Sequence, residues 1–149
     1  MSVVGGNGLG PNDDLAQPCG NATQRWNQGF FDHLVSGSTS APTGVVGAAA
    51  GTGGSLGVSV TGNDLAFSVA VTAGASGTTS GTYVTITPHT AYGATPRCVF
   101  VGGSQQEQFD FGWSLIYDKA ASSSSSLVFK LGQPPTANST FDFHVLCVE

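Results

Sequence analysis

The sequence predicts an all-β fold, an antiparallel β-sandwich of jelly-roll-like type with an extended N-terminal arm and one short helix. Three observations predict it: two long segments with an apolar residue at every second position, shorter segments of similar character, and turn residues at regular intervals between them. Alternate side chains of a strand point to opposite faces, so this period is typical of strands that are buried on one side.

The two longest segments, residues 108–118 and 140–148, supply most of the predicted core. In both, every second residue is apolar, and in the second segment Asp142 and His144 are among the residues that alternate with them. We expect the apolar side of both strands to face one hydrophobic core. The residues on that side are Phe109, Phe111, Trp113, Leu115, Tyr117, Phe141, Phe143, Val145 and Cys147.

Shorter segments complete the predicted sandwich. Pro134 and Pro135 cannot donate ladder hydrogen bonds, so they mark the end of a strand. Seven short strands separated by turn signals indicate an antiparallel sandwich or barrel rather than a parallel α/β sheet. The predicted strands are residues 57–60, 65–72, 83–88, 97–101, 108–118, 127–131 and 140–148.

Residues 1–56 are predicted to precede a single sandwich domain of residues 57–149. Residues 1–17 have no periodicity and are rich in glycine, which predicts an extended arm. Residues 36–57 are almost wholly small, a composition typical of a linker or of a loop laid over a sheet.

Between these two parts, residues 21–35 carry large apolar side chains at helical spacing, which predicts one side of a short helix. That side either closes one end of the core or forms a foot that docks on a neighbouring subunit. Its residues are Trp26, Phe30, Phe31 and Leu34.

Composition and charge argue against several classes of function. Only 9% of residues are charged, against about 25% in typical soluble domains. The net charge is −5 and the four Lys and Arg residues are scattered, so no basic patch is available for nucleic acid. No run of about 18 apolar residues is present and the N-terminus lacks a secretory signal pattern, so we expect no membrane insertion and synthesis in a cytoplasm.

The cysteines leave two states open. Cys19, Cys98 and Cys147 form an odd set without a C-x-x-C spacing, which argues against a closed disulfide framework and a structural zinc site. Buried thiols are the default expectation. Cys98 and Cys147 nevertheless fall in predicted strands and could meet across a sheet.

The sequence predicts no catalytic, cofactor or metal site. Asp142 and His144 share the side of the last strand that faces away from the core, and one Asp with one His does not make a metal site unless a three-fold axis multiplies them. Neither a G-x-S-x-G elbow nor a phosphate-binding loop is present. The polar loops, with Tyr92 and Trp113 nearby, either contact a carbohydrate or only serve turn geometry.

Three stretches resemble a group of bacteriophage virion surface proteins, the tips of tail and head fibres and the small capsid decoration proteins. GNDLAFSVAVTAGAS at residues 62–76 is similar to their opening strand, and TPHTAYGATPRCVF at residues 87–100 to the start of a later strand. TANSTFDFHVLCV at residues 136–148 is similar to their terminal strand. The resemblance covers about residues 57–149 and implies a homotrimeric β-sandwich on the virion surface, without catalysis or cofactor.

Within that group we expect a capsid decoration (cement) protein. The 149 residues provide an arm and a knob, and neither a collagen-like repeat nor a heptad coiled coil precedes the sandwich. Such a protein binds the major capsid protein or another virion protein and stabilises the shell. The alternative is a tail- or head-fibre tip domain that binds a host-surface glycan or receptor.

Deleting residues 1–20 should leave folding and trimer formation intact and weaken attachment to the particle. Fixing a segment of chain costs about 1–2 kcal/mol of entropy per residue, which only contact with a partner offsets. Binding of the full-length and truncated chains to particles that lack the protein measures the effect. Unchanged affinity, or a truncated chain that fails to fold, would contradict this expectation.

Overall fold

The computed structural model describes residues 40–103 and 114–148, which fold as two four-stranded antiparallel sheets packed as a sandwich. The predicted antiparallel β-sandwich is therefore confirmed. The strands are β1 (Thr43–Val46), β2 (Gly57–Gly62), β3 (Ala66–Thr72), β4 (Gly81–Thr87), β5 (Arg97–Gly102), β6 (Leu115–Tyr117), β7 (Leu127–Leu131) and β8 (Thr140–Val148).

The helical content of the described residues is one 3-10 turn, Ala48–Ala50. No helix in this part of the chain has the length and apolar character needed to cross a membrane. The predicted arm and helix lie outside the described residues, and so do the residues assigned to the helix's apolar side, Trp26, Phe30, Phe31 and Leu34.

The strand order is β1-β4-β7-β6 in one sheet and β2-β3-β8-β5 in the other. The β2–β3 and β6–β7 connections stay within one sheet, whereas the other connections pass from one sheet to the other. β3 pairs with β8 in one sheet, and β4 pairs with β7 in the other. The β3–β4 and β7–β8 connections therefore both run between these two pairs of strands. Strand β8 thus lies inside its sheet, between β3 and β5.

Strand β1 falls within residues 36–57, where the composition predicted a linker or a covering loop. It pairs antiparallel with β4 along its whole length. Glycine permits close packing around this strand: a Cβ on Gly44 would lie 2.8 Å from Cγ2 of Val58 in the opposite sheet, and one on Gly47, just after β1, would lie 2.2 Å from the carbonyl oxygen of Thr82. β1 is thus a short edge strand with one side chain, Val46, packed against the core, and its four residues are too few to show an apolar period.

The inward side of β8 lies in the core, as its two-residue period predicts. Its residues alternate strictly between buried and exposed. On β6, Leu115 is buried, Tyr117 packs half-buried against the core, and Ile116 between them is exposed. The buried residues of β8 are Phe141, Phe143, Val145 and Cys147. The remaining residues assigned to the core, Phe109, Phe111 and Trp113, lie outside the described residues.

Aromatic rings join the two sheets beneath β5 and β8. Phe129 of β7 lies 6.2 Å from Phe100, 5.2 Å from Phe143 and 5.5 Å from Tyr117 between ring centroids. The Phe100 contact is edge-on, with an interplanar angle of 82°. Tilted and edge-on pairs at these distances contribute favourable quadrupole interactions in addition to the burial of apolar area.

Tyr83 enters the core through an irregularity in β4. The register between β4 and β7 shifts between Thr82 and Val84, so Tyr83 and Val84 are consecutive and both fully buried. The Tyr83 hydroxyl donates a hydrogen bond to the carbonyl oxygen of Val71 at 3.3 Å, which satisfies it inside the core. Burial raises the pKa of Tyr83 above its usual value, so the phenol stays protonated.

A disulfide joins Cys98 of β5 to Cys147 of β8, which resolves the alternatives left open for these two residues. They face each other directly in the ladder, with 4.1 Å between their Cα atoms. That separation is close to the roughly 4.5 Å between facing residues of a non-hydrogen-bonded antiparallel pair. The default expectation of buried thiols is therefore wrong for Cys98 and Cys147, while Cys19 lies outside the described residues.

Replacing Cys98 and Cys147 together with alanine should lower the free energy of unfolding by about 2–4 kcal/mol, because the bridge restricts the unfolded chain between residues that are 49 positions apart. Denaturant titrations of the native chain with and without a reductant measure this change. The double variant is the control, since reductant should leave its midpoint unchanged. A native chain whose midpoint ignores the reductant would refute the expectation.

Candidate partner-binding face

The outer face of the β2-β3-β8-β5 sheet carries the candidate site. Every second residue of β8 points into the core, so the residues between them point away from the sandwich and are exposed. The ladder arranges the outer residues in rows across neighbouring strands. Val99 faces Leu146 in one row, and Val101 faces His144 in the next.

Four large apolar side chains lie together on β5 and β8, and we call them the apolar strip. Val99, Val101, Leu146 and Val148 are 65%, 46%, 46% and 50% exposed. Single exposed apolar residues are ordinary on a protein surface, whereas a contiguous group marks a surface that contacts another molecule. The strip is therefore the best candidate for a partner contact on this face.

The strip was not singled out from the sequence, although a signal for it exists. Residues 98–101 and 145–148 are continuous apolar runs rather than alternating ones. Such runs predict strands that are apolar on both faces. Because one face of each strand lies in the core, the other face exposes apolar side chains unless a partner covers it.

Beside the strip, the same face forms a polar groove of about 400 Å³. The Oγ of Ser68 and the Nδ1 of His144 are 2.7 Å apart, within hydrogen-bonding distance. His144 and Asp142 lie on the outer side of β8, where the sequence placed them. The groove is lined by Ser59, Thr61, Ser68, Ala70, Gly103, Asp142 and His144.

The Ser68–His144 contact joins facing residues of a regular ladder. A nucleophilic serine also needs hydrogen-bond donors for the oxyanion. Both strands are paired along both edges, so their backbone N–H groups serve the two ladders. Within the described ranges, no group of three His, Cys, Asp or Glu side chains could hold a metal ion. Ser68 and His144 thus form a polar pair on the exposed face of a regular sheet.

Loops at one end of the sandwich are joined by Asp64, which is 8% exposed. Its carboxylate accepts hydrogen bonds from the backbone N–H groups of His89 at 2.7 Å and Thr90 at 2.8 Å. The hydroxyl of Tyr92 donates to the carbonyl oxygen of Asp64. The N–H of Tyr92 donates to the carbonyl oxygen of Ser124 at 2.9 Å, which adds the serine-rich loop. The stretches of residues 62–76 and 87–100 thus meet at Asp64.

These contacts bear on the carbohydrate alternative. Tyr92 packs against the core and its hydroxyl bonds to Asp64, so it holds the loops together and does not project as a stacking platform. Trp113 lies outside the described residues. The outer positions of β2, β3, β5 and β8 carry no Phe, Tyr or Trp side chain. A sugar in the groove would therefore depend on hydrogen bonds alone.

A second acidic residue, Asp118, organises the β6–β7 loop. Its carboxylate lies 2.5 Å from Nζ of Lys130 and accepts hydrogen bonds from the N–H groups of Ala120 and Ala121. The hydrogen bonds from Lys130 and from the Ala121 backbone hold the pKa of Asp118 below its usual value. The charges of Asp118 and Lys130 are thus used within one loop and its neighbouring strand.

Comparison of the chain with protein-family models, with curated proteins and with solved structures finds no match.

Replacing Asp64 with alanine should lower the free energy of unfolding by about 1–3 kcal/mol, because two N–H groups lose a charged acceptor. Asp64→Asn keeps one acceptor oxygen and should cost less. The control is Lys119→Ala in the exposed β6–β7 loop, where we expect a change within about 0.5 kcal/mol. Urea denaturation of the three variants provides the comparison, and equal losses for Asp64→Ala and Lys119→Ala would contradict the role assigned to Asp64.

Proposed function

We propose that this protein is a noncatalytic structural protein of a bacteriophage virion, a capsid decoration protein that attaches to the shell by protein–protein contact. Its proposed partners are the major capsid protein or another virion protein, together with further copies of the chain. The observation that carries the proposal is the apolar strip on the outer face of the β2-β3-β8-β5 sheet. The virion setting rests on the resemblance of the three sequence phrases.

The strip favours assembly on a repetitive surface. Covering the exposed halves of four Val and Leu side chains contributes roughly 3–6 kcal/mol before the costs of association. That gain alone corresponds to weak binding, since a millimolar complex already requires about 4 kcal/mol. A shell offers many identical sites, and several linked copies bind more tightly than one. A modest apolar surface is therefore sufficient for decoration, whether it contacts the shell directly or joins neighbouring copies of the chain on it.

The disulfide is compatible with a virion surface. Disulfides persist in oxidising surroundings, which include the surfaces of virions, and are rare in a reducing cytoplasm. Cys98 and Cys147 join β5 to β8, the two strands that carry the apolar strip. We propose synthesis in the host cytoplasm and closure of the bridge once the particle meets oxidising conditions.

The polar groove favours a second candidate function, that of a fibre-tip domain binding a host-surface glycan. Hydroxyl groups, an imidazole and a carboxylate line it and could bond to sugar hydroxyls. A glycan array with the native chain tests this function. Saturable binding that Ser68→Ala and His144→Ala both weaken would favour the fibre tip over the decoration protein.

The decoration function predicts that particles stripped of this protein lose thermal and osmotic resistance and regain it when the purified protein is added back. The reason is that a bound protein adds contact between neighbouring shell subunits and stabilises the assembled state. The measurement is the temperature of genome release for native, stripped and restored particles. Stripped particles that are as resistant as native ones would refute the proposal.

A further inference from the structure

We propose that the outer face of the β2-β3-β8-β5 sheet binds the same face of a second copy of this chain, forming a dimer with two-fold symmetry. This inference rests on the proposed function, because it names the partner of the apolar strip. It puts two copies in place of the three that the phage resemblance implies. The contact consists of the strip at the centre and one Arg97–Asp142 pair at each end.

The positive and negative side chains on this face lie at opposite ends of it, where they can pair between two copies of the chain. Among the described residues, the lysine, arginine and carboxylate side chains of this face are Arg97 and Asp142, at opposite ends of the β5–β8 ladder. Arg97 faces Val148, and Asp142 lies six positions farther along β8, or roughly 20 Å at about 3.3 Å per residue. The two opposite charges are too far apart to pair within one copy.

Consider a two-fold axis that lies in the plane of the interface and crosses the strands midway between Arg97 and Asp142. Rotation about this axis places one end of the face against the other end of the same face in the second copy. Arg97 of each copy then lies opposite Asp142 of the second copy, so the dimer contains two such pairs. In an isologous interface, a contact of one residue with another is always repeated in reverse. A surface with opposite charges at its two ends is therefore complementary to itself.

The same operation places the apolar rows against each other. The row of Val99 and Leu146 lies on one side of the axis, and the row of Val101 and His144 lies on the other. Each row therefore meets the other row of the second copy, which puts Val99, Val101 and Leu146 of the strip beside the axis, while Val148 lies in the end row with Arg97. An apolar centre with charged residues at the rim is the usual anatomy of a protein–protein interface.

The face is large enough for a weak dimer. Its four strands lie about 4.8 Å apart and have six, seven, nine and six residues, so only β8 reaches a length of roughly 30 Å. Each copy would cover roughly 450 Å², and the pair about 900 Å². That area lies just below the approximately 1,000 Å² expected of a stable specific interface and corresponds to a dimer that dissociates on dilution.

The first test is the mass of the full chain in solution, measured by sedimentation over a range of concentrations. We expect a monomer–dimer equilibrium. Leu146→Asp should raise the dimer dissociation constant more than about 100-fold, because two-fold symmetry places the change in the interface twice. The matched control is Ile116→Asp, which alters an apolar side chain of similar exposure on β6 of the other sheet and should leave the constant unchanged.

The second test reverses the charges. Arg97→Asp and Asp142→Arg should each weaken the dimer about tenfold, because each change turns two attractive pairs into repulsive ones. The double variant should return to within about threefold of the native constant, since both pairs are attractive again. Lys119→Asp makes the same change of charge in the β6–β7 loop and should have no effect. Circular dichroism verifies that every variant is folded.

A chain that stays monomeric at all concentrations, a trimer, or a double variant no stronger than the single ones would each overturn the two-fold contact. The particle experiment separates this inference from the proposed function. A monomeric chain that still restores stripped particles overturns the dimer and leaves the decoration function standing. A dimer with the expected charge rescue that does not restore particles supports the dimer and overturns the decoration function.

Discussion

Burial of one side of β8 is the interaction on which the rest of the sandwich depends. β8 pairs with β3 on one edge and β5 on the other, and Phe143 on its inner side packs against Phe129 of the opposite sheet. A shift of one residue would turn every side chain of β8 to the other face. Asp142 and His144 would then enter an apolar core at a large desolvation cost, so the sequence specifies one register strongly.

That register also determines the surface and the covalent bridge. It places Cys147 opposite Cys98, where a bond can form across the ladder. It places Leu146 beside Val99 and leaves Asp142 at the far end from Arg97. The core, the disulfide and the candidate partner-binding face are thus three consequences of one alternation. A change that loosens the core beneath β8 would alter the outer face as well.

The sequence predicts those elements whose side chains make their own contacts. The alternation of β8 can be predicted from the sequence because large apolar residues alternate with Asp142 and His144. The sequence does not predict β1, because the strand has four residues and only one of them, Val46, packs against the core. The sequence does not predict the irregularity at Tyr83 either. A two-residue period places consecutive residues on opposite faces, whereas Tyr83 and Val84 are both buried.

The candidate site was predictable only in part, for a related reason. The outward position of Asp142 and His144 follows from the period of β8, whereas the strip follows from knowing which face of β5 is covered. The position of Asp64 in the chain gives no sign that its carboxylate binds the backbone at His89, 25 residues away. Contacts of that range depend on how the loops meet, which is a property of the assembled sandwich.

The disulfide has its clearest physical role at the edge of the candidate face. β5 is the last strand of its sheet in the described part of the chain, paired along one edge with β8. An edge strand held by one ladder separates more readily than an interior strand. Separation of β5 would remove Val99, Val101 and Arg97 from the face and leave Leu146 without its neighbour. The disulfide joins β5 covalently to β8, an interior strand, and so keeps the strip residues of both strands and the charge of Arg97 in one rigid surface. A weak, repeated contact requires this preorganisation, because little binding energy is available to order the surface.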